Sequence, residues 1–418
     1  MNEQERTDAT RYALGEGIWG IGVGLIAPLT VLPLLIRMLG GGNIEVGIVY
    51  SLATAGVVVT QPIGMLLFRQ GAGKKNFMLV YHCLTVLPAT AAIGAIVYFF
   101  APREATHGMG RALILAAYSL EVLMIGVIVP PWADWVAGLF STQSRGRGVG
   151  MYAAFSALGV SLGALVAAKI RGAMGSALSN YALLYVTAVC LFGASLGMFS
   201  RVSSGQPRPE ADRRPTLRDL LARFAHSLGE TNYRSYLVGR VLLTMGAGAT
   251  GFFAVQFHSP QGGGLSDVTI IGLGAFLTLP QALASYWLGV IGDRSGHRAG
   301  ILIGGVAQIA AIAIASAGRG ALACALCFVF QGIAFAATWV SHQNMIFETC
   351  PHDNRIAHIT LSNLVMSPFM LALPVATGWL VSSAGAPTGI GLCVAPSVLG
   401  TLWLLFMVRD PRHVVLEV

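Results

Sequence analysis

The chain has 418 residues, of which 55% are hydrophobic and only 11% charged, and its formal net charge is +8. An ordinary soluble domain is about 25% charged, so this composition excludes a soluble enzyme or a nucleic-acid-binding domain. A span needs about 20 apolar residues, and the length accommodates twelve spans with short loops.

Taken in order, candidate spans begin near Tyr12, Ile44, Phe77, Ala112, Val149 and Asn180. The first carries Gly15, Gly17, Gly20, Gly22 and Gly24, then Pro28 and Pro33, a composition suited to close packing and bending. Its apolar run is too long for a cleavable signal, and its flank Glu3, Glu5, Arg6, Asp8 is not basic. It is therefore expected to act as its own targeting signal. On the fifth span Gly159 and Gly163 are four residues apart.

The segment 201–234 is rich in Arg and contains Pro207, Pro209 and Pro215. It divides the chain into an N-terminal bundle (1–200) and a C-terminal bundle (235–418). Within it Thr216 can cap a helix whose Leu217, Leu220, Leu221, Phe224 and Leu228 form one apolar stripe, expected to lie in the membrane interface. Six further spans begin near Ser235, Asp267, Ala299, Ala321, Ile359 and Pro387. With the N-terminus in the cytoplasm, nineteen Lys and Arg residues fall on that side, six fall outside, and Arg240 lies within a span. This is the positive-inside distribution, and it predicts both termini in the cytoplasm of a multi-pass inner-membrane protein.

Between the eighth and ninth spans lies the turn Gly289-Val290-Ile291-Gly292-Asp293-Arg294-Ser295-Gly296-His297-Arg298. A weaker copy lies 225 residues earlier, where Gly64, Arg69 and Gly71 match Gly289, Arg294 and Gly296, and Phe68 replaces the acid. A second register of 210 residues places Asp134 on Asn344, Arg145 on Arg355 and Glu121 on Gln331. Internal repeats joined by tight basic turns are a transporter architecture. The pattern Gly-x-x-x-Asp-Arg-x-Gly-x-Arg resembles the signature loop of the major facilitator superfamily, and Ser144-Arg145-Gly146-Arg147-Gly148 resembles the loop after that family's fourth helix. The resemblance implies an all-α polytopic membrane protein of 12 transmembrane helices, arranged as two pseudo-symmetric six-helix bundles. Helices 1, 4, 7 and 10 would line a central cavity that opens to each side in turn. The residue after Gly159 is Val160 rather than the proline of the family's drug–proton antiporters, which counts against that branch.

Charges inside spans are costly and invite a function. Glu121 lies about 15 Å below the outer interface at helical rise, among Leu120, Val122, Leu123 and Met124, which offer it nothing polar, and is the candidate proton carrier. Glu16 and Arg240 lie at equal depth on the first and seventh spans, as an ion pair closing the inner mouth or as contacts for a charged solute. Gln256, Gln331, Trp339, Gln343 and Asn363 are candidate cavity-lining residues. Gly64, Arg69, Gly71, Asp134, Arg145, Gly289, Asp293, Arg294, Gly296 and Arg298 are candidate gating residues of the cytoplasmic loops.

No metal site is expected from the six cysteines: Cys324 and Cys327 have CxxC spacing without a second pair. With no GxxxxGK[ST] loop, no ATP-driven step and no cofactor are expected, nor enzymatic activity. The expected function is secondary active transport of a small solute by a monomer in contact with membrane lipids, coupled to H+. The alternatives are an uncoupled facilitator or lipid exporter, and a non-transporting assembly factor or sensor.

Overall fold

In the computed structural model, residues 3–67, 75–140, 145–175, 177–204, 217–349 and 355–410 are described. They form helices joined by short turns, and eleven of these helices are long and apolar enough to cross a membrane. A further rod precedes them. It is α1 (Glu3–Leu25), continued after a break by Val31–Met38. Pro28 falls in that break, and the charges of its first turns keep α1 less apolar than the others. The rods that follow are α2 (Asn43–Gly64), α3 (Lys75–Phe100), α4 (Glu104–Val136), α5 (Arg145–Met174) and α6 (Leu178–Phe199). After the linker helix Leu217–Gly229 come α7 (Thr231–His258), α8 (Asp267–Gly292), α9 (His297–Ala317), α10 (Gly320–Ile346), α11 (Arg355–Ala384) and α12 (Ala386–Met407). The protein is an integral, multi-pass membrane protein, with the twelve rods expected from the sequence.

Most neighbours are made within a half: α1 packs on α5 and α6, α7 on α11 and α12, and α10 on α8 and α9. Small residues make the closest of these crossings. At Gly20 an added Cβ would sit 2.5 Å from the Ser156 carbonyl oxygen, so α1 and α5 touch through their backbones. The main cross-half seams are two, α2 against α11 and α5 against α8.

The end at which α1 starts, expected from the charge count to face the cytoplasm, is the inner end. The seams are tightest at the opposite, outer end. There Asn43 donates to Ser382 Oγ (3.2 Å); nearer mid-length Ser51 donates to the Leu371 carbonyl (2.7 Å), and the Ser161 and Thr278 hydroxyls meet at 2.6 Å between α5 and α8. A Cβ at Gly47 would lie 2.5 Å from the Pro374 carbonyl oxygen, and one at Gly378 equally near that of Asn43. Two rods contain a π-helical turn, Leu52–Gly56 in α2 and Thr338–His342 in α10. Such turns interrupt regular pairing and recur at functional positions.

Candidate solute site and gates

The outer end holds a buried ion pair between the halves that the sequence reading passed over. Arg171, near the end of α5, donates to Asp267 Oδ2 at the start of α8 through Nη2 (2.8 Å) and Nε (3.2 Å). Its Nη1 donates to the Ala177 carbonyl (3.1 Å), and its guanidinium lies 4.0 Å over the Tyr181 ring. The Tyr181 hydroxyl donates to the same carboxylate oxygen (2.8 Å). Arg171 is 2% exposed. A guanidinium so removed from water is tolerated because a carboxylate, a carbonyl and an aromatic face together replace its hydration. Arg171 is an interior residue of the α5–α8 seam.

At mid-depth, Glu16 is half-buried and faces the hydroxyls of Tyr12 and Ser156. Trp132 of α4 donates to the Tyr12 hydroxyl (2.8 Å). Arg240 is also half-buried and donates through Nη1 to Ser362 of α11 (2.6 Å). The Tyr236 hydroxyl meets His342 of the α10 π turn, at Nδ1 (3.0 Å) and at its carbonyl oxygen (3.1 Å). Glu16 and Arg240 thus each have partners inside their own half in this conformation.

Glu121 is buried inside the N-terminal bundle, where Thr90 of α3 donates to its Oε1 (2.8 Å). Tyr118 and Tyr185 lie within electrostatic reach. The hydrogen-bond donor comes from the neighbouring helix, which a one-dimensional reading could not supply.

Of the other cavity candidates, Gln256 is buried beside the turn at the outer end of α7, and Gln331 is buried on α10. Their side-chain carbonyl oxygens accept no hydrogen bond from the described groups. Trp339 is exposed on the π turn, while Gln343 and Asn363 are half-buried.

Among the loop candidates, Gly64 is packed against Val127 and Pro130 of α4, and Asp134 is half-buried. Arg69 and Gly71 lie outside the described residues, as do the side chains of Arg145 and Asp293. Gly289 faces open space and Arg294 is exposed. Gly296 makes the reversal with φ 83°, in the left-handed region that favours glycine.

Arg298 has a different role from the lipid contact expected of it. Its guanidinium donates to the Leu404 and Leu405 carbonyls in the last turn of α12, which have no partners within the helix. Lys75 does the same at the end of α6, donating to the Ser200 (2.8 Å) and Val202 (2.6 Å) carbonyls. Each turn between the second and third helix of a half is thus followed by a cation that caps the last helix of that half.

Residues 264–417 match the family model described as Major Facilitator Superfamily. The fold is that of the major facilitator superfamily. No curated protein matches the sequence. Solved structures are similar over nearly the whole chain. A mutant of the nucleoside transporter NupG is 14% identical, with a TM-score of 0.73, covering 96% of this chain and 100% of its own. A POT family transporter in complex with 5-aminolevulinic acid is 10% identical, with a TM-score of 0.72 and coverage of 97% and 96%. The E. coli fucose:proton symporter FucP, also a mutant, is 13% identical, with a TM-score of 0.60 and coverage of 97% and 100%. At these identities the likeness is one of fold.

Proposed function

We propose that the protein is a secondary active transporter that carries a small solute by alternating access and couples it to protons through Glu121. The observation that supports this reading best is the uneven closure of the halves. The outer end is sewn by Arg171–Asp267 and Asn43–Ser382, and the middle of the seams by Ser51–Leu371 and Ser161–Thr278. The mid-depth charges Glu16 and Arg240 are instead held separately, each by its own half. A molecule whose halves are joined from the outer end to mid-length is in one of the two states that alternation requires. The similar structures are named for a nucleoside, for a peptide conjugate or 5-aminolevulinic acid, and for fucose with a proton, all small solutes.

Glu121 suits a proton carrier because it is buried, ionisable and held by a hydroxyl that can serve a carboxylate or a carboxylic acid. The test begins with a stabilisation screen of nucleosides, sugars, dipeptides and amino acids on detergent-purified protein, since a bound solute raises apparent stability. A hit is then followed in proteoliposomes under an imposed proton gradient. Wild type accumulates it uphill, whereas Glu121→Gln exchanges it at the wild-type rate without accumulation. Uphill uptake by Glu121→Gln would remove Glu121 from the mechanism. Uptake indifferent to the gradient in wild type would favour an uncoupled facilitator.

A further inference from the structure

The mid-depth charges are built into two copies of one cradle. Tyr12-Ala13-Leu14-Gly15-Glu16 on α1 and Tyr236-Leu237-Val238-Gly239-Arg240 on α7 share the pattern Tyr-x-x-Gly-charge, 224 residues apart. Every member of the pattern has an equivalent neighbour. The tyrosine hydroxyl meets a ring nitrogen from the fourth helix of its half, Trp132 Nε1 for Tyr12 and His342 Nδ1 for Tyr236. The glycine admits the sixth helix of its half, with a Cβ at Gly15 lying 2.5 Å from the Phe199 ring and one at Gly239 lying 2.5 Å from Leu404. The charged group faces a serine from the fifth helix of its half, Ser156 for Glu16 and Ser362 for Arg240. What differs is the sign of the charge.

Two equivalent cradles of opposite sign, one on the first helix of each half, offer partners to the two ends of a dipolar ligand. We propose that the solute site takes a zwitterion, with a cationic amine at Glu16 and an anionic group at Arg240. The assignment rests on the transport reading only for what becomes of the ligand after it binds.

Each end suits its partner. Around Glu16 stand Tyr12, Tyr152 and, one turn along, Trp19, which stacks on Phe192 at 4.1 Å between ring centroids. Aromatic faces beside a carboxylate receive an ammonium through cation–π attraction and charge together. Around Arg240 stand hydroxyl and imidazole groups from Ser362, Tyr236 and His342. Ser362 engages one of the five guanidinium N–H donors, and the planar fork is suited to a carboxylate or phosphate. A single-charge solute would satisfy one cradle and leave the other half-buried charge without a counter-ion, which is costly away from water.

The test is binding, read by calorimetry on protein in detergent, so it is independent of any gradient. The probes are ω-amino acids of graded chain length, with the matching alkylamines and alkanoates. An ω-amino acid of the fitting length is expected to bind about 10- to 100-fold more tightly than either single-charge analogue. Glu16→Gln should reduce it to the affinity of the alkanoate, and Arg240→Gln to that of the alkylamine. The exchange Glu16→Arg with Arg240→Glu should restore the preference, which guards against loss of binding through misfolding of a single variant. Equal affinity across the three classes, or no binding of any member, would overturn the assignment. Binding without transport in proteoliposomes would instead overturn the transport reading and leave this one standing.

Discussion

Two opposite-charge pairs bridge the halves of this molecule in principle, and only one does so in fact. At the outer end Arg171 and Asp267 are joined at 2.8 Å, with Tyr181 and the Ala177 carbonyl completing the shell. At mid-depth Glu16 and Arg240 are each held by a serine of their own half. The difference lies in what surrounds the charges. A pair enclosed by protein on all sides acts as a clasp, because separating its members leaves an uncompensated ion in a low-dielectric seam. A divided pair with donors and acceptors to spare acts as a receptor.

The largest expected effect comes from breaking the clasp. Asp267→Ala should remove about 3–5 kcal/mol from the outer-closed state, the typical cost of leaving one buried partner alone. Spin labels across the outer end would then report a second, longer distance population. A smaller effect is expected from widening the same end without touching its charges. Gly47→Val presses a side chain on the α11 backbone at Pro374, at a cost of about 1–3 kcal/mol, and should lengthen the outer distance and lower the melting temperature. The smallest tests the receptor. Tyr12→Phe and Tyr236→Phe each remove the hydrogen bonds of one hydroxyl behind the charged groups, each bond worth about 0.5–1.5 kcal/mol. Each should weaken solute binding a few-fold and leave the outer distance unchanged.

Helix number and order were legible in the sequence because twelve apolar runs are separated by charged or glycine-rich turns. The first rod shows the limit of that reading: it was found as a span, but its break around Pro28 and its continuation through Val31–Met38 needed coordinates. The 225-residue register found the turn before α9, and the cradle was one residue away in a 224-residue register that pairs Tyr12 with Tyr236 and Gly15 with Gly239. Asp8 and Asn232 follow the same register. Asp8 accepts from the Ser203 amide (3.0 Å) after α6, and Asn232 from the Arg409 amide (2.8 Å) after α12. An aligned tyrosine and glycine were therefore a readable signal.

Arg171 and Asp267 left a weaker signal. They are far apart in sequence, the 224-residue register sets the uncharged Asn43 on Asp267, and nothing in one dimension says that α5 meets α8. Arg298, a gating candidate from sequence, gave no sign of its capping contact for a related reason. A basic residue in an inner turn obeys the same charge statistics whether it meets lipid or caps a helix, and only the approach of α12 decides between them.

The central claim is that the halves separate at the outer end while closing over the mid-depth charges. It is tested most directly by double electron–electron resonance on two label pairs in a background freed of native cysteines. Met174 with Gln261 reports the outer end, and Thr10 with Arg234 the inner end, all four being exposed. On introducing Asp267→Ala, the account predicts a longer outer distance accompanied by a shorter inner one. An outer distance that lengthens while the inner distance stays fixed, or two distances that grow together, would contradict it.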